Sequence, residues 1–459
     1  MRWLYALILI SWLCPLAVGH QPVALTHVTV IDTTGGPPQA DMTVVVRDGR
    51  IASVGKAGQV QVPADAQVVA GAGKFLIPGL WDMHVHTASA DYFPLYLANG
   101  VTGVRDMHSF FPDTPLQWRK DIAAGKILGP RMVVAGALID GDHPFWPGSL
   151  VATDEQSGRA AVQTLKAKGV DFIKVYSKLP RAAFLAIAAE ATKQGLMFAG
   201  HVPESVTAIE ASDAGQKSME HLIGILPACS TREAELHQEL AAALAQPDNA
   251  AIRAAVRRAD SKALDSYSED KARALFARLV RNGTWQVPTL TVLRALATLN
   301  DPQFTNDPRT AYMPAYILGM WKAKPPSADE LAEMKKLYSK KVDLVRAMHG
   351  AGVKMLAGTD VSNPFCFPGF SLHDELELLV KAGFTPLEAL QSATRGPAEF
   401  LGKQRDLGTV ETGKWADLVL LDADPLADIT NTRKIAGVMI AGKFLPKSEL
   451  DAMLAKAKR

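Results

Sequence analysis

The chain has 459 residues, 48% of them hydrophobic and 21% charged, and its 49 Lys and Arg against 47 Asp and Glu leave a formal net charge of +2. That balance excludes a strongly basic nucleic-acid binder and an acidic disordered chain. Three cysteines exclude a disulfide scaffold and a cysteine-based zinc module, so any metal must be held by histidines and carboxylates.

Residues 1–19, MRWLYALILISWLCPLAVG, combine Arg2, an apolar run from Trp3 to Leu13 and the small-residue end Ala17-Val18-Gly19. This is the pattern of a secretory signal peptide. The expectation is an exported protein, periplasmic or secreted, with no membrane span once the signal is removed. Removal also takes Cys14 and leaves Cys229 and Cys366.

The following segments 23–32, 42–47 and 51–55 are β-rich, and Asp48-Gly49 between the last two is a hairpin signal. Segments 416–422 and 435–443 near the C-terminus have the same character. Residues 20–75 and 405–459 are therefore expected to build one small β-sandwich from both chain ends. Between them, residues 76–404 alternate strand and helix. Strand cores are predicted at 75–86, 101–107, 131–139, 172–176, 196–202, 218–222, 285–291 and 353–360, and helices include 157–168, 181–194 and 328–349. Eightfold alternation predicts an α/β fold of the parallel (β/α)8 TIM barrel type. A doubly wound open sheet is the competing arrangement, but no glycine-rich phosphate loop follows the first strand. The connections 223–284 and 292–352 are long, and such insertions lie over a barrel's mouth or on its outer ring.

Ligand-type side chains recur at the ends of these strands. His84 and His86 alternate with Val85, so both face one way and can grip one cation. Lys174 lies among Phe172, Ile173 and Val175, where an ammonium is costly unless paired or chemically changed. His201, His221 and Asp360 close three further strands. Singly each has a bland structural account. Jointly they are six candidate ligands from five strands, at the end where barrels carry out chemistry.

The motifs PGLWDMHVHT, GVTGVRDM, FIKVY, AGHV, MEHL and AGTD, followed by GTVETGKWADLVLLD and VMIAGK, resemble in order those of the metal-dependent amidohydrolase superfamily. The similarity covers nearly the whole chain after the signal, and is greatest to the imidazolonepropionase-like and prolidase-like (Xaa-Pro dipeptidase) branch. The resemblance implies two divalent cations, with zinc expected. His84, His86 and Asp360 would hold one, His201 and His221 the other, and Lys174, as N6-carboxylysine, would bridge them. It implies hydrolysis of an amide (C–N) bond by a metal-activated water, with Asp360 as general base and then general acid. A dipeptide, N-acyl amino acid or cyclic amide is the expected substrate. A lactonase or esterase on the same site, or a non-catalytic metal- or ligand-binding protein, are the alternatives.

Around this set, Tyr176 shares the inward face of Lys174 and is a candidate for the substrate or oxyanion. His143 lies in a loop where relatives carry a carbonyl-contacting His, with Phe145 and Trp146 as a candidate apolar wall. Arg105 reads as a carboxylate binder or as the partner of Asp106 or another acid. His373 reads as part of a helix N-terminus with capping-box spacing, and His349 as a helix C-terminal cation. Cys229 and Cys366 follow His221 and Asp360 closely. They either pair across the barrel mouth or remain buried free thiols. The expected partner is a small-molecule substrate, not nucleic acid, with room left for a homo-oligomer.

Overall fold

The computed structural model describes residues 21–244, 248–299, 301–322 and 326–459. The expected signal segment 1–19 and Cys14 lie outside the described residues.

Both chain ends contribute to one sheet. Val23–Val30, Gln39–Arg47, Arg50–Lys56, Gln67–Ala70 and Phe75–Pro78 join Leu418–Leu421, Ile435–Ile440 and Lys443–Pro446 in eight strands. The two ends meet where Ile77 pairs antiparallel with Val419. Asp48 and Gly49 both take positive φ (51° and 73°), the two-residue turn that matches strand twist. Leu25, Val44, Leu76, Leu418 and Met439 form this sheet's own apolar cluster.

The barrel strands follow as β1 (Leu80–Val85), β2 (Val101–Asp106), β3 (Arg131–Val134), β4 (Ile173–Val175), β5 (Phe198–Gly200), β6 (Ser218–Glu220) and β7 (Trp285–Val287). Successive pairs run parallel from β1 to β3 and from β4 to β7. The predicted strand 75–86 is split: its first four residues belong to the terminal sheet, and β1 begins after Gly79. The predicted strand 131–139 breaks after Val134. Asp171 donates its amide to Val134 O at 2.9 Å, and Ile139 pairs with Val175 beyond the break, so the ring stays joined.

The eighth stave, 353–361, is not a continuous strand. Met355 bridges to Gln286 and Val361 to Val85. Met83 N donates to Ala357 O at 2.9 Å, and Asp360 N to His84 O at 2.8 Å. Two features break its regularity. Asp360 has φ 62°. Gly358 passes so close to β1 that a Cβ there would stand 2.9 Å from His84 N. The ring therefore closes at an irregular seam between last and first staves.

The helices start and stop where their caps demand. Glu155–Lys168 has the Asp154/Ser157 capping box and ends on left-handed Gly169, so it starts two residues before the predicted position. Arg181–Lys193 matches its prediction closely. The long connections fold mainly into helices, among them α1 (Asn249–Asp265), α2 (Ala315–Trp321) and α3 (Ala328–Gly350). The two insertions are tied together by Lys341 to Asp260 at 3.1 Å and Arg257 to Glu330 at 2.9 Å. Among the described residues no helix is long and apolar enough to cross a membrane. Cys229 and Cys366 do not pair. Both are buried free thiols, packed as small apolar groups in the barrel core.

Candidate metal centre

The six predicted ligands converge. His84 and His86 project from the end of β1, with ring centroids 5.3 Å apart. The His221 ring lies 4.5 Å from His84 and 5.0 Å from His201. Asp360 Oδ1 sits 3.4 Å from His84 Nε2 and 3.0 Å from His86 Nε2, and Asp360 Oδ2 3.7 Å from His221 Nδ1. One ligand atom each from His84, His221 and Asp360 fits within 4.8 Å of the others. Lys174 is buried in β4, its Nζ 5.7 Å from the centre of the Tyr176 ring.

Strand alternation alone does not build this arrangement. Ser218 and Glu220 are both buried on β6 and bonded to each other, and their shared face would send His221 to the opposite side. His221 instead takes φ 60°, outside the strand region, and turns into the cluster. Asp360 does the same at the seam. Left-handed non-glycine residues cost of order 1–3 kcal/mol each and gather at functional sites.

A second layer orients the imidazoles. His84 Nδ1 donates to Glu220 Oε2 at 2.7 Å, and His86 Nδ1 to the His108 carbonyl at 2.6 Å. His201 Nδ1 lies 2.8 Å from Ser177 Oγ. His221 Nδ1 lies 2.7 Å from Thr289 Oγ1, whose own proton goes to Pro288 O. A ring nitrogen that donates fixes the other as a bare lone pair. His84 Nε2 is then an acceptor facing the Asp360 carboxylate oxygen in a buried site, and it has no hydrogen-bond partner; neither does Lys174 Nζ. Two acceptors face to face, away from water, call for a cation between them. The donor set fits a divalent metal bound by nitrogen and oxygen.

The electrostatics agree. Burial, then the charge of Lys174, holds His84 and His201 well below the ordinary imidazole value, and burial takes His221 down to about 3. These rings are neutral at neutral pH, the form in which an imidazole can bind a metal. Burial opposes charge on His86 too, but the Asp360 carboxylate outweighs it and raises that ring. Burial lowers Lys174 to about 8 against the pull of Glu220 and Asp360.

Arg105 is not free to bind a substrate carboxylate. It is fully buried, and it donates to Met83 O at 2.7 Å, Ser218 Oγ at 3.0 Å and Glu220 Oε1 at 3.0 Å. Its acidic partner is Glu220, not Asp106. His373 lies inside the helix Phe370–Lys381, whose N-cap is Gly369, so Ser371 forms no capping box. The ring is buried between Thr432 Oγ1 and Asn99 O. His349 stacks on Phe384 in the last turn of α3. Tyr176 packs its ring 3.9 Å from His201 and accepts from Trp146 Nε1 at 2.8 Å. The His143 side chain is 68% exposed beside Asp142 and is not brought into the cluster; its carbonyl accepts from Lys178 Nζ at 2.6 Å.

Glu220, Ser177 and Thr289, which hold the rings of His84, His201 and His221, are candidate site residues that sequence reasoning missed. The one available signal was Glu220, an acid beside His221 in an apolar strand.

The structure is a (β/α)8 barrel carrying a buried histidine–carboxylate cluster, a candidate metal site, at the C-terminal ends of its strands, where barrels place their chemistry. The chain belongs to the amidohydrolase family, whose sequence profile matches residues 75–445. It is related to the imidazolonepropionase and prolidase branch. Imidazolonepropionase of Maricaulis maris is 36% identical over 104 residues, covering 22% of this chain and 26% of that protein. The chain thus aligns with only about a quarter of the curated imidazolonepropionases it matches. Ochratoxinase of Aspergillus niger is 25% identical over 419 residues, covering 77% of this chain and 71% of that one. The crystal structure of a Bifidobacterium longum protein assigned as a prolidase has a TM-score of 0.69 at 26% identity, covering 95% of this chain and 99% of that one. The protein is an amidohydrolase-family member with a candidate metal-binding site.

Proposed function

We propose that the protein is a binuclear amidohydrolase that cleaves the amide bond of a dipeptide, an N-acyl amino acid or a cyclic amide. The observation that carries this reading is the pair of buried, unpartnered nitrogens, His84 Nε2 and Lys174 Nζ, beside the Asp360 carboxylate. His84, His86 and Asp360 would hold one divalent cation and His201 and His221 a second, with zinc the expected metal. Lys174 would bridge them as a carbamate, formed when Nζ bonds to the carbon of carbon dioxide and releases a proton. When bound, the cations supply Lewis acidity, which activates water and polarises the scissile carbonyl.

The residues of the chain do the rest. Asp360 takes the proton of the attacking water and returns it to the leaving nitrogen. Glu220, Ser177, Thr289 and the His108 carbonyl hold the imidazoles in one tautomer through the reaction. Tyr176 orients the substrate from the wall beside His201, and His143 contacts it from the loop above. Residues 1–19 act as an export signal, placing the enzyme in the periplasm or outside the cell. The test is elemental analysis of purified protein combined with a screen of dipeptides, N-acyl amino acids, cyclic amides and matching esters. Two equivalents of metal with amide turnover support the reading. Turnover of esters alone replaces it with an esterase, and metal without turnover with a binding protein.

A further inference from the structure

A cavity of about 140 Å³ opens beside His86, the most exposed of the four clustered histidines. Phe110 and Trp146 wall it from the loops that follow β2 and Ile139–Asp140. Ile317, Met320 and Trp321 of α2 wall it from the second insertion. Among the described residues, no Asp, Glu, Lys or Arg lines it. An engineered apolar cavity of roughly 150 Å³ holds benzene, so this volume suits one aromatic ring or a large aliphatic group.

The insertion is anchored to the catalytic strands. Trp321 Nε1 donates to Ser362 O at 2.9 Å, two residues after Asp360. Tyr316 OH donates to Ala88 O at 3.1 Å, two residues after His86. The Trp321 ring packs edge-on against Phe367 at 5.7 Å, and Phe110 meets Trp146 edge-on at 6.1 Å. Met320 nevertheless remains 49% exposed. A methionine left in water at the rim of an aromatic pocket is a surface that an apolar ligand covers. A charged side chain placed against Ile317, Met320 and Trp321 would shed its water and, among the described lining residues, meet no Asp, Glu, Lys or Arg in exchange.

We propose that this cavity is a side-chain subsite for an uncharged aromatic or large aliphatic group of the amide substrate, with Ile317, Met320 and Trp321 setting the preference. It rests on the metallohydrolase reading of the adjacent centre and names the substrate class of that site.

The test uses two readouts on the full-length, metal-loaded protein. Intrinsic tryptophan fluorescence, to which Trp146 and Trp321 contribute, is titrated with N-acetyl-phenylalanine, N-acetyl-leucine, N-acetyl-aspartate and N-acetyl-lysine. In parallel, kcat/KM is measured for dipeptides carrying the same four side chains at each position. The expected result is about tenfold tighter binding of the Phe and Leu ligands, with the same order in kcat/KM at one of the two positions. Met320→Glu, on an exposed site, should abolish that preference and favour Lys while leaving metal content unchanged. Ile317→Ala should weaken it without reversing it. Equal or tighter binding of the charged ligands, or an unaltered preference in Met320→Glu, overturns the proposal. Apolar-selective binding without turnover of any amide upholds the subsite and sinks the hydrolase reading. Turnover with no apolar preference does the reverse.

Discussion

Glu220 Oε2 stands 2.7 Å from His84 Nδ1, and the same carboxylate takes Arg105 Nη2 at 3.0 Å and Ser218 Oγ at 2.6 Å. All four side chains are buried. Glu220 therefore links the metal cluster to a fully desolvated ion pair inside the barrel. Replacing it by Gln keeps the shape but leaves Arg105 uncompensated, a change worth about 3–5 kcal/mol. Glu220→Gln should lower the melting temperature and weaken metal binding about 10–100-fold. Thermal melts and zinc competition titrations would show both; a variant with normal metal affinity would remove Glu220 from the ligand-orienting layer.

Asp360→Asn separates proton transfer from structure. The amide keeps the volume and one oxygen but cannot cycle a proton. Turnover of the best amide substrate should fall about 10²–10⁴-fold, with the fold intact by circular dichroism. Near-normal kcat would rule Asp360 out as the base.

Lys174 can be tested without mutagenesis. Metal-depleted protein, refilled with zinc in buffer freed of carbon dioxide, should regain activity only after bicarbonate is added. Protein refilled with ¹³C-bicarbonate should show a carbamate carbon resonance. Full recovery without bicarbonate would show that the unmodified amine suffices.

His373 supplies a pH signature remote from the metal. Burial first, then the charge of Arg433, takes its folded value down to about 4, against an ordinary 6.5. The folded state thus holds the ring neutral where the unfolded chain takes up a proton. Its contribution is fully present above pH 6.5 and is lost as pH falls toward 4, for a total of about 3 kcal/mol. Urea-unfolding free energies of wild type and His373→Gln should converge across that window as pH falls. Parallel pH profiles would contradict the assignment.

Burial pushes the Cys229 thiol up to about 12 and raises Cys366 as well. Neither is a thiolate near neutral pH. Native protein should be inert to a thiol reagent. Denatured, unreduced protein should yield two thiols if residues 1–19 have been cleaved and three if Cys14 remains. Fewer than two would mean that oxidation joins the buried pair.

The ligand positions were legible because strand periodicity and residue chemistry are local properties: His84-Val85-His86 states its own geometry. The orienting layer was not, because each partner comes from elsewhere in the ring; Glu220 is 136 residues from His84. Periodicity even misleads at His221, whose left-handed backbone reverses the side that alternation after Ser218 and Glu220 assigns. Strand–helix alternation revealed the barrel, yet not the break after Val134 or the irregular last stave, since hydrogen bonds to neighbouring staves hold these stretches in place of intrinsic β-propensity. The insertions gave no hint of which helix would line the mouth, because Trp321 and Tyr316 reach their anchors through long-range contacts.

The irregular seam would give a bound metal a second task. His84 and His86 belong to the first stave and Asp360 to the last, so a cation held by all three would tie the two staves together beside the backbone bonds from Met83 to Ala357 and from Asp360 to His84. Ligands that bind only the folded state stabilise it in proportion to their occupancy. Metal loading would then work as a clasp, and amide hydrogen exchange after chelation should quicken first along 353–361 and the facing edge of β1, while the terminal sheet keeps its protection.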